Sequence, residues 1–285
     1  MADLPPGITS ATDTAILPGL KSDYAVEVID LVTHWGERKI LNKVNITVNH
    51  GEIMVIMGGS GSGKSTCLTH MLKLHHPTSG CIRLLGKDIT TLPAMEMYEL
   101  RKKMGVAFQY GALFSSMSVG DNIMLPLREH TSLDRGTMEI MMRLKLEVVD
   151  LAGYEDFMPS ELSGGMMKRA AMARAVIMDP KLLFLDEPSA GLDPVVAASL
   201  DDLILRLRDA MGMTIVVVTH ELDSAFKIAD RITVLDKGEV LISASTEEVR
   251  NSPNERVQNL LNRRTEEVIL DPDEYLRRLV GERID

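Results

Sequence analysis

IMVIM (residues 53–57) followed by GGSGSGKST (residues 58–66) decides how this chain is read. Five consecutive apolar residues mark a central strand covered on both faces. The loop behind them sets four glycines and a series of small hydroxyls around one lysine, Lys64. A loop that only reverses direction needs about one or two glycines, so this density points to something bulky and charged approaching the backbone itself. Gly58 to Ser65 satisfies GxxxxGK[ST] in full, a pattern with meaning only between a strand and a helix. The helix is supplied by TCLTHMLKLHH, which puts Cys67, Leu68, Met71 and Leu72 on one face and stops before Pro77. Such a unit curls successive N–H groups around phosphate oxygens, and the helix N-terminus adds partial positive charge.

Working outward, AVEVIDLVTHW alternates from Ala25 and breaks at Gly36, and KILNKVNITVNHGE adds further strand before a turn. Three more apolar runs follow: GVAF before Gln109, LLFL before Asp186 and TIVVVT before His220. Helical or mixed segments separate them, which indicates an α/β core. In open parallel sheets ligands bind beyond the carboxyl ends of strands, and these runs all finish at polar, chemically capable residues. Between Gln109 and Leu162 the texture is helical, with Pro126 and the Met-rich stretch GTMEIMMRLKLEVVDLAGY. Met138, Met141 and Met142 read as packing residues, because Met fills irregular cores. RITVLDKGEVLISAS reads as a hairpin turning at Lys237-Gly238, and Ser245 to Glu248 as a capping box opening a helix.

The chain has 285 residues, 45% of them apolar, enough for one large domain with a small appendage. A net charge of -10 and a pI near 5.3 argue against a broad nucleic-acid surface or direct adhesion to anionic lipid. Cys67 and Cys81 fit no metal or disulfide spacing, so a reducing compartment, the cytoplasm, is expected. Residues 1–22 lack the pattern of a secretory signal and read as a flexible leader. No apolar run approaches the roughly 20 residues that cross a bilayer, so membrane contact is expected to be indirect.

Three further constellations carry chemistry. Lys64 is placed to meet the β- and γ-phosphates of a nucleotide as a point charge, with the Ser65 hydroxyl on magnesium. LLFLDEP sets Asp186 at a strand end, where a carboxylate holds the magnesium shell, and Glu187 next to it, where a second polarises an attacking water. ELSGGMMKRAAMARAV continues from Ser163, Gly164 and Gly165 into a good helix former, giving either a second anion site or an ordinary cap.

With these motifs in order, the chain resembles the ATP-binding cassette (ABC) family, whose LSGGQ signature stands here as Leu162-Ser163-Gly164-Gly165-Met166. The resemblance runs from about Ala25 to about Ser245. It implies an α/β P-loop NTPase fold: a RecA-like parallel-sheet core, an antiparallel β subdomain, and a helical subdomain over 110–162 within a 23–245 ATPase domain. It implies ATP and Mg2+, held by Gly58, Gly59, Ser60, Gly61, Ser62, Gly63, Lys64, Ser65 and Thr66, with Ser65, Gln109 and Asp186 at the metal. It makes Glu187 and His220 catalytic alongside Gln109, the γ-phosphate sensor, and SAGLD (189–193) the D-loop. Trp35, the single tryptophan, matches the aromatic that stacks on adenine, or else is a core residue. The site is expected to close in trans, each copy's glycine loop facing Ser163, Gly164 and Gly165 of another. Met166 departs from the usual glutamine and removes one polar side chain.

GALF (111–114), PLREH (126–130) and SGGM (163–166) narrow the resemblance to the MlaF-type ATPases of mammalian-cell-entry (MCE) phospholipid transporters. That implies a homodimer on the cytoplasmic face of the inner membrane. Its expected partners are an MlaE-type permease, a periplasmic MCE-domain protein and a small STAS-domain protein, with no nucleic acid. The helical insertion is the expected docking surface, its Met and Leu side chains lining an adaptable groove. Residues 246–285 read as a helical extension whose Val257, Leu260, Leu261, Leu276 and Leu279 face a second copy, a partner or the chain's own domain, or which frays. Another transported cargo is the competing reading, and a non-transport ABC ATPase stands behind it.

Overall fold

A computed structural model describes residues 23–263. The leader, and the end of the C-terminal segment with Leu276 and Leu279, lie outside the described residues. In chain order the strands are β1 (Tyr24–Trp35), β2 (Arg38–Asn49), β3 (Ile53–Met57), β4 (Ser79–Leu84), β5 (Lys87–Asp88), β6 (Met104–Ala107), β7 (Leu182–Asp186), β8 (Thr214–Thr219), β9 (Arg231–Asp236) and β10 (Glu239–Ser245). The helices are α1 (Lys64–Met71), α2 (Ala94–Arg101), α3 (Val119–His130), α4 (Arg135–Val148), α5 (Gly164–Val176), α6 (Pro194–Met211), α7 (Leu222–Ile228), α8 (Thr246–Arg250) and α9 (Glu255–Leu261). Among the described residues no helix is long and apolar enough to cross a membrane.

One sheet has the order β10-β9-β3-β8-β7-β6, parallel throughout except for the β9–β10 hairpin at its edge. The apolar runs of the sequence are therefore neighbours, and their carboxyl ends open on one edge. Their alternation builds two cores. Ile53, Val55, Met57, Leu183, Leu185, Ile215 and Val217 join one apolar cluster, whereas Met54, Ile56, Leu182, Phe184, Val216 and Val218 join the other. A strand with period-two side chains and both faces covered has to read as an unbroken apolar run. Each fully buried Leu, Ile or Phe contributes about 1.5–3 kcal/mol of transfer free energy.

A second, antiparallel sheet has the order β2-β1-β4-β5. Two of its members, β4 and β5, and helix α2 were not anticipated from the sequence. The first cluster also takes in the helical insertion: Ile123, Leu127, Met138, Met142 and Leu146 are buried there. Met138 and Met142 are thus core, as packing residues, and do not line a docking groove; the insertion's exposed apolar side chains include instead Phe114, Leu133, Ile140, Leu144 and Val148. Asn122, fully buried, ties the loop before α3 by accepting from Phe114 N and donating to the carbonyls of Phe114, Met117 and Ser118.

The β9–β10 turn has Lys237 at φ 48° and Gly238 at φ 81°, the double left-handed geometry of a tight hairpin. It also braces the glycine loop, since Gly238 N donates to Ser62 O at 3.0 Å and Gly238 O accepts from Asn42 N at 2.8 Å. A Cβ on Gly238 would lie 2.3 Å from Ile40 O. Gly238→Val is therefore expected to destabilise the fold by about 2 kcal/mol or more and to weaken nucleotide binding. Denaturant unfolding and a nucleotide titration that both matched wild type would show that the brace is dispensable.

Beyond Ser245 the capping box forms, with Ser245 Oγ accepting from Glu248 N and the Glu248 carboxylate accepting from Ser245 N. Val249 and Val257 are fully buried in the first cluster, and Leu260 and Leu261 pack against it. Of the alternatives for this segment, residues as far as Leu261 rest on the chain's own domain.

Candidate active site

The glycine loop leaves the end of β3 and enters α1 at Lys64. The expectation that its glycines serve only an approaching ligand holds in part. Cβ atoms on Gly59 or Gly61 would meet nothing within 4 Å, so those positions face open space. At Gly58 a Cβ would lie 2.1 Å from Leu235 O, and at Gly63, with φ 106°, 2.6 Å from Leu41 Cδ2. Two glycines are thus demanded by the strands packed behind the loop.

Helix α1 has no side-chain cap and no acidic residue in its first turn. Its orphan N–H groups are left for a ligand, and their partial charge suits an anion. Lys64 is buried, and its Nζ donates to Gly58 O at 2.8 Å and Gly59 O at 2.9 Å. Burial lowers its pKa, against the opposing pull of Glu187 and Asp186.

Asp186 ends β7, its carboxyl pushed up by burial and by Glu187, with Lys168 and Lys64 acting the other way. Its Oδ1 is buried with no hydrogen-bond partner, as is Ser62 Oγ. Glu187 follows with φ 48°, in the left-handed region. Its N–H donates to Val218 O at 2.8 Å. Its carboxylate accepts from His220 Nδ1 at 2.8 Å and from Thr219 Oγ1 at 3.2 Å. An ionised carboxylate only accepts, so this pairing puts a proton on Nδ1.

Lys64, Glu187 and His220 share a cleft of about 740 Å³ lined also by Gly58, Gly59, Ser60, Gly61, Ser65 and Gln109, whereas Asp186 lines neither this cleft nor the hollow next to it. A second hollow of about 460 Å³ adjoins the same loop, lined by Trp35, Arg38, Ile40 and residues 61–66, with Gly61, Lys64 and Ser65 lining both. Trp35 is 60% exposed, which removes the core reading and leaves its face open beside the loop. The sequence reading missed Arg38 in the second hollow and Glu221, Leu222, Asn259, Leu260 and Arg263 in the first. Asn259 and Arg263 come from the chain's far end, and no local motif announces them.

A polyphosphate fits this arrangement: open N–H groups, a buried ammonium and a large polar cleft. A magnesium ion fits only beside such a ligand. Among the described residues no cluster of three or more His, Cys, Asp or Glu stands ready to hold a metal alone, and Mg2+ commonly combines one or two carboxylates with substrate phosphates. The orphaned Asp186 Oδ1 and the exposed Ser65 suit that division.

Ser163, Gly164 and Gly165 line neither hollow. Ser163 caps α5, accepting from Met166 N at 3.3 Å, and it and Gly164 are exposed. Gly165 is buried, where a Cβ would lie 2.6 Å from Val196 Cγ1 on α6. The helix N-terminus therefore faces outward from its own chain's cleft, and Met166 packs against the core.

Residues 41–190 match the family model described as ABC transporter. The chain is 41% identical over 236 residues to the intermembrane phospholipid transport system ATP-binding protein MlaF of Haemophilus influenzae, covering 83% of this chain and 89% of that protein. It is 39% identical over 237 residues to MlaF of Escherichia coli K12, with 83% and 88% covered. A probable ribonucleotide transport ATP-binding protein of Mycobacterium tuberculosis, mkl, is 38% identical over 244 residues, covering 86% of this chain and 68% of that one. Among solved structures, the ATP-binding cassette MJ0796, in a dimeric post-hydrolysis state bound to ADP and Pi, superposes with a TM-score of 0.71 at 30% identity, covering 78% and 98%. The structure of cbiO1 from Clostridium perfringens, part of the ABC transporter complex cbiONQ, superposes with a TM-score of 0.75 at 28% identity, covering 90% and 100%.

Proposed function

The chain belongs to the ABC transporter family as an ATP-binding cassette, and from that premise we propose that it is the ATPase subunit of a phospholipid transport system of the bacterial envelope. The observation that carries the cargo is the likeness to MlaF, which extends over nearly nine-tenths of those relatives' length. Two copies enclose two ATP molecules. One copy contributes the cleft at Lys64, and the other contributes Ser163, Gly164 and Gly165. Support comes from the outward-facing N-terminus of α5, which is useless to its own cleft, and from the dimeric cassette MJ0796.

The loop N–H groups and Lys64 bind the triphosphate in the cleft, while Trp35, in the adjoining hollow, stacks on the adenine. Glu187 takes the role of general base toward a water, His220 holds its carboxylate and reaches the γ-phosphate, and Gln109 senses that phosphate. Ser65, Gln109 and Asp186 would hold magnesium, which neutralises developing charge on the phosphoryl oxygens when bound. The chain sits on the cytoplasmic face of the inner membrane through an MlaE-type permease. That permease meets exposed apolar side chains of the helical insertion such as Phe114. A periplasmic MCE-domain protein and a small STAS-domain protein complete the system.

Purification of the native membrane complex tests the cargo. Phospholipid is expected to co-purify and to stimulate ATP hydrolysis after reconstitution. Stimulation by ribonucleosides instead, with phospholipid inert, would overturn the reading in favour of the transport named for the mycobacterial relative.

A further inference from the structure

Lys168 lies on α5, five residues past Ser163, and its ammonium reaches two loops at once. It donates to the carbonyl of Gln109, after β6, and to that of Glu187, after β7, the latter at 2.9 Å. Farther along the same helix, Arg174 donates to Gly111 O at 3.0 Å and Ala112 O at 2.8 Å. Between them a Cβ on Gly111 would lie 3.6 Å from Ala171 Cβ, so the helix lies directly on this loop. The Gln109 loop is therefore gripped by α5 through two cations.

Glu187 gains as much from the contact. Its φ of 48° is a conformation that a side-chain-bearing residue keeps only when its surroundings hold it there. Its N–H is held by Val218 O, and its carbonyl by Lys168. A helix is stiff over two turns, so displacement at Ser163 is transmitted to Lys168, and from there to both loops. The same helix thus presents its N-terminus outward and holds two cleft residues of its own chain.

We propose that Lys168 is a positioning residue that locks the Gln109 and Glu187 backbones to the helix serving the partner's nucleotide, so that the two ATP sites of the dimer are coupled through α5. The inference rests on the residue roles proposed above.

Steady-state hydrolysis by the full-length chain across ATP concentrations, with equilibrium ATP binding alongside, is the test. Lys168→Met is expected to lower kcat about tenfold or more while leaving the ATP dissociation constant within about threefold, because the lost contacts align the reacting groups and do not bind substrate. The Hill coefficient is expected to exceed one in wild type and to fall to about one in the variant. Lys168→Arg, whose fork spans two carbonyls, should restore most of kcat. Should Lys168→Met fail to fold, Lys168→Gln, which keeps one donor group, replaces it with the same readouts. Wild-type kcat and cooperativity in the variant would overturn the proposal. So would a non-cooperative wild type, or a loss that follows melting temperature and is not rescued by arginine. Failure of the underlying roles would appear separately, as full turnover in Glu187→Gln whatever Lys168 variants do.

Discussion

Lys64→Ala is expected to abolish productive ATP binding, raising the dissociation constant about a hundredfold or more and removing hydrolysis, since charge-assisted hydrogen bonds to an anion are worth ~1.5–3 kcal/mol each. The ammonium is the cation placed inside the glycine loop, two of its three donors held by Gly58 O and Gly59 O. That geometry shapes the loop as well as charging it. Alanine therefore loses the attraction for phosphate and lets the two carbonyls turn, adding an acceptor where the ligand needs donors. Lys64 also faces the charges of Asp186 and Glu187, so its removal leaves two carboxylates without one of their cations in a cleft built for an anion. Arginine should not rescue the site, because a planar fork cannot occupy the volume of a compact point charge. Calorimetric titration with ATP checks the effect, and a thermal melt separates it from unfolding. A folded variant with wild-type affinity would remove the glycine loop from the nucleotide site.

What the sequence revealed about this fold depended on how local each signal was. IMVIM, LLFL and TIVVVT are unbroken apolar runs because β3, β7 and β8 alternate their side chains between two separate cores. The Lys237-Gly238 turn and the Ser245 capping box are equally local, and both stand where the residues put them. By contrast β4, SGCIRL, is buried only at Ile82 and Leu84, and its identity as a strand comes from pairing with β1, far earlier in the chain, as in Val26 with Leu84. Too few apolar positions alternate within six residues for the period to show.

The site divides in the same way. Gly58 to Ser65, Asp186 and Glu187 announce themselves because each ends or directly follows a strand or opens a helix, whereas Gln109 and His220, just past the ends of β6 and β8, take their roles from the family resemblance. Lys168 gave no signal, being one of several long side chains on an Ala-rich helix. Its importance lies in which carbonyls it meets across 59 and 19 residues of chain. Arg263 and Asn259 reach the cleft only because α9 packs back on the core through Val257.

Glu187→Gln carries the other large expected effect: ATP binding is retained, kcat falls about a hundredfold to ten-thousandfold, and dimer accumulates in the presence of ATP. Loss of basicity separates the two side chains, since an amide matches the carboxylate in size, keeps an oxygen for His220 Nδ1, and puts an NH2 in place of Oε2 that can donate to Thr219 Oγ1. Those contacts, with the main-chain anchors at Val218 O and Lys168, should preserve the left-handed turn at Glu187, so the fold is expected to lose little stability. Removing a negative charge beside Lys64 and the bound polyphosphate relieves repulsion, which favours the nucleotide-bound form over the free one. If hydrolysis is what releases the paired subunits, a variant that binds without turning over must collect in the paired state. Size-exclusion chromatography with and without ATP, beside a single-turnover phosphate assay, reads both halves. Undiminished phosphate release would mean that another group activates the water, and His220, 2.8 Å from the same carboxylate, would be the residue to replace next.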